Sequence, residues 1–414
     1  MKLSPAFRFI LTSGIFGALT AGQFAPGEWS LVQDGLSGVS ALELAIVSET
    51  TAMIFDKVEH NPLQTNGHVA WAAELDLVTK TVRPLNPTSN TWCGTGSFLS
   101  NGTMVSVGGN PVVITGGDGL AAVRLFDPCE DGNCDLFENQ NVRRAASLRW
   151  YTSSARLEDG SMILFGIVDL PNVTNPTYEF YPPKNIHGQN GTPIFVPFLM
   201  ETLNANHFPI LIQLPDGNFF VAANTKAIIF DWKTNREVRR LPDVPNGVQY
   251  RLEWLSPPYM QHIRPTFTGL PATFDYNSQI TLDVDIPEGG EKVSAIIMDF
   301  GFATHGLHMN QRLVGLVSQL SNDKTKLTIT GPPSPNIYSP GPAFVFVLVD
   351  GVPSFGSKTL IGTGAQPPLD EGALNNVLSQ QPLFWDKWTA AHPNASDAER
   401  NMFSSVPAPS PTGY

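Results

Sequence analysis

Three cysteines and eight histidines carry most of the redox and metal-binding capacity of this 414-residue sequence. Cys129 and Cys134 bracket the acidic turn Glu130-Asp131-Gly132-Asn133, and two cysteines across so short a loop form a natural local disulfide in an oxidising compartment. Cys93 is left over. An odd cysteine on a secreted chain is a buried thiol, an intermolecular bridge, or a residue consumed by other covalent chemistry, and composition alone favours the buried thiol. Taken singly, Tyr151 reads as a packed aromatic and His305 as a satisfied loop histidine, with His308 three residues beyond it in a local structural role.

The elements that must position these residues are short β-segments punctuated by Asn-Gly and Asp-Gly from about residue 40 to 245. Ser97 to Val107, Ala155 to Phe165 and Ile212 to Val221 are near copies, each an apolar strand, a turn and a second apolar strand. Their turn glycines 102, 160 and 217 stand 58 and 57 residues apart, close to the ~50 residues of a kelch-type blade. Gly108-Gly109 after the first hairpin strengthens that reading, and Phe126-Asp127, Tyr178 to Tyr181 and Ile228 to Trp232 recur as an outer strand of each unit. A ring of seven such blades needs about 350 residues, whereas residues 22–250 leave room for four or five. After Arg251, alternating strands at 279–284, 292–298 and 343–349 predict an immunoglobulin-like sandwich. The fold class is all-β: residues 22–250 an incomplete kelch-type β-propeller, 251–364 the sandwich, and 365–414 a flexible tail with a weakly helical stretch at 383–391.

Composition narrows the function. Charged residues are only 15% and hydrophobic residues 42%, which excludes a disordered chain or a coiled coil. A net charge of −12 repels phosphate backbones, so nucleic acid is not expected as a partner. Lys2 and Arg8, the apolar stretch from Phe9 to Leu19 and small residues near Ala21 have the layout of a signal peptide over residues 1–21. No later run reaches the ~20 apolar residues of a membrane span. The expected product is secreted, and sequons at Asn101, Asn172, Asn190 and Asn394 agree with a glycoprotein.

Five separate stretches resemble a fungal glyoxal oxidase, of the copper radical oxidase family that includes galactose oxidase. They are Asn90-Thr91-Trp92-Cys93-Gly94-Thr95-Gly96-Ser97, Arg149-Trp150-Tyr151-Thr152-Ser153, Asn175-Pro176-Thr177-Tyr178-Glu179-Phe180, Trp254-Leu255-Ser256-Pro257-Pro258-Tyr259 and Thr304-His305-Gly306-Leu307-His308-Met309-Asn310-Gln311-Arg312. The resemblance spans residues 40–364 and implies a seven-bladed kelch propeller followed by an immunoglobulin-like domain. It also implies a mononuclear copper centre that oxidises small aldehydes or primary alcohols with O2 and releases hydrogen peroxide. Two electrons leave the substrate and one Cu(II) takes only one, so a second redox group must stand beside the metal. The resemblance assigns that role to a thioether-linked radical cofactor formed from Cys93 and Tyr151, with Tyr151 and His305 as copper ligands. Extracellular glycans or peroxidases are the partners such an oxidase suggests.

The pattern breaks in one place. The family carries an adjacent Tyr-His pair in a later blade, for an axial tyrosine and a second histidine ligand, and this sequence contains no Tyr-His dipeptide. Leu241 to Val248 matches a middle blade while Tyr250 to Trp254 already matches the entry to the last domain, so intervening blades are expected to be absent. His207, His262 and Tyr259 are the conceivable substitutes. The missing pair keeps a second reading open, a catalytically inactive extracellular module that binds glycans or proteins. An incomplete ring is expected to expose blade faces, to re-close at smaller size, or to pair with another chain.

Overall fold

The computed structural model describes residues 35–57, 60–111, 116–129, 131–166, 175–202, 206–243, 259, 262–304, 307–310 and 312–380. The expected signal peptide, the sequons at Asn172 and Asn394, His305 and the stretch at 383–391 lie outside them.

Four antiparallel sheets form propeller-type blades, each running from an inner strand outward. Blade one uses Glu43–Ile46, Thr51–Phe55, Ala72–Asp76 and Val82–Leu85; blade two Thr95–Phe98, Met104–Val107, Val123–Phe126 and Phe137–Glu138. Blade three uses Ser153–Arg156, Met162–Phe165, Thr177–Tyr181 and Ile194–Phe195; blade four Ile210–Gln213, Phe219–Ala223, Lys226–Asp231 and Arg236–Arg240. The three repeated hairpins are the inner pairs of blades two to four. Their turns are built alike: Gly102, Gly160 and Gly217 all sit at positive φ, and Asn101, Asp159 and Asp216 accept the N–H two residues on at 3.2, 3.1 and 3.0 Å. An Asn or Asp side chain that mimics the turn, followed by a glycine free to go left-handed, explains why the sequence repeats there. The segments expected to recur as an outer strand, Phe126-Asp127, Tyr178 to Tyr181 and Ile228 to Trp232, fall in or at the end of the third of four strands in blades two to four.

The sandwich follows, with Leu313–Leu320 passing from one layer to the other. Its first half pairs with Val293–Asp299 and its second with Lys326–Thr330. Leu282, Ile297, Leu327, Ile329, Val345 and Val347 fill the core between the layers.

This domain sends a hairpin, Phe302–Thr304 and Leu307–Met309, back to the propeller. Phe302–Thr304 pairs with Glu43–Ile46, so the hairpin extends blade one inward. Phe302 joins a core with Ala45, Phe55, Cys93, Phe98 and Met104. Gly96 makes room for it, since a Cβ there would stand 2.3 Å from the Phe302 ring. Asn310, just past the hairpin, donates to Ser97 Oγ at 2.9 Å and accepts from Arg156 N at 2.7 Å, binding blades two and three to one side chain.

Among the described residues the outward face of blade four has no such cover: Ile210, Ile212 and Val238 are 44%, 48% and 56% exposed. The end of the chain differs from a flexible tail as far as residue 380. Asp370 caps a helix at Glu371–Ser379 whose Ala373 and Val377 are buried. Gly191 lets the helix approach closely, and Arg144 Nη2 donates to Val377 O at 2.6 Å. Sequence reasoning missed this because only two of its apolar residues are buried.

Gly96→Ala tests the hub packing. The variant is expected to lose about 1–3 kcal/mol by urea denaturation, with part of the loss restored when Phe302→Leu is added; an unchanged midpoint would show that the hairpin is not seated on that strand.

Candidate active site

The loops entering the inner strands of blades two, three and four end alike. Cys93, Tyr151 and Phe208 each stand two residues before their strand, at φ of 61°, 58° and 46°. Left-handed backbone costs a non-glycine residue roughly 1–2 kcal/mol, so surrounding contacts must hold it. They do so through a chain of backbone bonds: Tyr151 N–H donates to Cys93 C=O at 3.0 Å and Phe208 N–H to Tyr151 C=O at 2.8 Å.

Buried arginines fix the approach to the Cys93 and Tyr151 loops. Arg124 Nη2 donates to Ser89 Oγ at 2.6 Å and Asn90 O at 3.1 Å, upstream of Cys93. Arg149 Nε donates to Glu179 at 2.6 Å, and Glu179 also accepts from Ala146 and Ser147 N–H, locking the segment before Tyr151. Gly108 and Gly109 lie between the two loops. A Cβ on Gly108 would come 2.5 Å from Arg149 O, and one on Gly109 would come 2.0 Å from Asn90 O.

Cys93 is buried, and burial pushes its thiol well above the usual range; hydrogen bonding with the Tyr151 and Trp150 side chains pulls the other way. The Tyr151 ring lies 4.6 Å from Trp150, 4.8 Å from His207 edge-on and 5.5 Å from Phe208. Trp150 Nε1 donates to Trp92 O at 3.1 Å. Cys93 and Tyr151 thus pack in one apolar cluster with Trp92 and Trp150. Cys129 and Cys134 are bonded, their Cα atoms 5.8 Å apart.

Sequence reasoning missed Glu43. It is 1% exposed on the inner strand of blade one, opposite Thr304. Its Oε1 accepts from Gly94 N–H at 2.9 Å, while Oε2 has no hydrogen-bond partner among the described residues. Burial pushes this carboxyl up to about 8, against the pull of Arg124 and the Gly94 bond. No local pattern marked it, because its burial depends on the hairpin strand opposite. His207, set beside Tyr151 by the same loop geometry, is exposed and is the one substitute that the fold brings to the pair. His308 lies across from Ala303 in the hub hairpin.

Two family models match. Residues 48–252 fit the glyoxal oxidase N-terminus and residues 264–361 the galactose oxidase-like early set domain. The chain belongs to the glyoxal oxidase-like copper radical oxidases. It is 29% identical to an aldehyde oxidase GLOX of Vitis pseudoreticulata over 243 residues, 54% of this chain and 43% of that one. It is also 29% identical to the aldehyde oxidase GLOX1 of Arabidopsis thaliana over 245 residues, 54% of this chain and 37% of that one. The chain therefore spans about two fifths of the length of these curated relatives. A fungal alcohol oxidase solved in complex with copper shares the fold at a TM-score of 0.52, with 13% identity, over 82% of this chain and 100% of that one.

Glu43 gives a pH test. Its carboxyl holds a proton in the folded state up to about 8, whereas the unfolded chain releases it near 4.5. The folded state therefore binds more protons between those values, and stability falls as pH rises through that window and levels off above it. Glu43→Gln is expected to remove the fall, gaining on the order of 4 kcal/mol over the native residue at pH 9 and little at pH 4; parallel melting curves at all pH values would contradict it.

Proposed function

We propose that the protein is a secreted oxidase of small aldehydes or related primary alcohols, carrying copper beside a thioether formed from Cys93 and Tyr151. The observation that carries this reading is the packing of Cys93 and Tyr151 in one apolar cluster, tied by a backbone bond of 3.0 Å. Family membership supports the copper. The donors present fit it in part: Tyr151 offers a phenolate, His207 lies edge-on to the same ring, and Glu43 keeps an orphaned buried oxygen on the facing blade. Tyr151 and His305, which lies outside the described residues, are the ligands that the resemblance assigns.

When bound, copper would take one of the two electrons lost by the substrate and the linked Cys93–Tyr151 pair the other. The net reaction balances as an aldehyde hydrate plus O2 giving a carboxylic acid plus hydrogen peroxide. The chain's own part is to hold the pair in contact, to keep water from the Cys93 side through burial, and to spread electron loss over the Trp150 and Tyr151 rings, 4.6 Å apart.

A second reading, an inactive extracellular module for glycans or proteins, draws on a specific observation. The sequence contains no Tyr-His dipeptide, so the axial tyrosine and second histidine ligand of the resemblance have no counterpart in it. The two readings separate in one assay: after copper loading, the protein is expected to release peroxide from methylglyoxal, and Tyr151→Phe and Cys93→Ser to fall to the copper-free background. Tight carbohydrate binding with no turnover under any copper condition would favour the inactive module.

A further inference from the structure

A cavity of about 240 Å³ opens beside the inner strand of blade four, between blades three and four and the sandwich. It is built from residues outside the Cys93 and Tyr151 loops. Arg156 and Arg312 both line it, and among the described residues the one carboxylate lining it is Asp299. Arg156 Nη2 donates to Asp299 at 2.5 Å and to Ser339 O at 3.3 Å. Its Nε and Nη1 have no hydrogen-bond partner among the described residues, although the residue is 3% exposed. Gln213, 7% exposed, likewise keeps an Nε2 unpartnered among the described residues, while its Oε1 accepts from Ser339 Oγ at 3.0 Å and from Arg312 at 3.3 to 3.4 Å. Arg312 is further disfavoured as a cation by burial and by the neighbouring Arg156.

Asp299 pairs with Arg156, so the half-buried Arg312 brings to the same wall a second positive charge that has no ion-pair partner among the described residues, and an anion that joined it would gain a charge-assisted bond. The other wall is apolar, with Ile210 and Ile212 along the exposed edge of blade four. The volume falls below the roughly 300–1,000 Å³ of sites that enclose drug-sized ligands, so the occupant is small. We propose that this cavity binds a small organic carboxylate, its oxygens among Arg156, Arg312 and Gln213 and its carbon chain against Ile210 and Ile212. The site does not depend on copper or on turnover.

Calorimetric titration of the full chain with sodium propionate, at ionic strength held constant with sodium chloride, tests it, with inorganic phosphate as the parallel arm. Saturable one-site binding of propionate is expected, weakened at least about tenfold by Arg312→Gln through loss of a charge-assisted bond. Because Arg312 is half-buried, Ile212→Trp, at an exposed position, provides a second variant expected to block entry while the fold persists. No saturable heat with the native chain, native-like binding in both variants, or saturation by phosphate with none by propionate would each overturn the assignment.

Discussion

Left-handed backbone at Cys93, Tyr151 and Phe208 is the constraint on which the centre depends. Each residue turns its loop just before an inner strand begins, and the carbonyls of Cys93 and Tyr151 accept the N–H of Tyr151 and Phe208 in the next blade. The strain is local, but what opposes it is distributed. Arg124 and Arg149 anchor the incoming segments, and two glycines admit backbone contacts that any side chain would forbid. The burial of those guanidinium groups is tolerable because each meets a carboxylate: Arg149 lies 2.6 Å from Glu179, and Arg124 3.6 Å from Glu138.

The second dependence runs between domains. The sandwich supplies the hairpin that extends blade one into the hub, and Phe302 packs in the same core as Cys93. Arg156 and Asp299, both buried, tie the inner strand of blade three to the strand that leads into that hairpin. Cys93 and Tyr151 are therefore held from two sides, by loops of the propeller and by a hairpin of the following domain. With four blades described, the same hairpin fills space at the axis while blade four keeps an apolar outward face.

Much of this was legible in the residues. Asn101-Gly102, Asp159-Gly160 and Asp216-Gly217 announce their hairpins because the turn chemistry is local, and alternating strands announce the sandwich for the same reason. The positions of Cys93 and Tyr151 before successive inner strands follow from the repeat. The insertion of 302–309 into the propeller is a long-range pairing with no local signature, so it was not legible. Glu43 looked like an ordinary acid in a strand, and only the hairpin opposite reveals that it is buried. The helix at 371–379 was hidden because its stability comes from docking on Gly191 and Arg144, residues far away in sequence.

The central claim is that the fold places Cys93 and Tyr151 close enough to become one redox group. Peptide mass spectrometry of the folded, copper-treated protein tests it most directly. The expected result is a cross-linked pair of peptides containing Cys93 and Tyr151, lighter than their sum by about two hydrogens and formed only when copper and O2 are present. Recovery of Cys93 as an unmodified thiol from folded, copper-treated protein would contradict it.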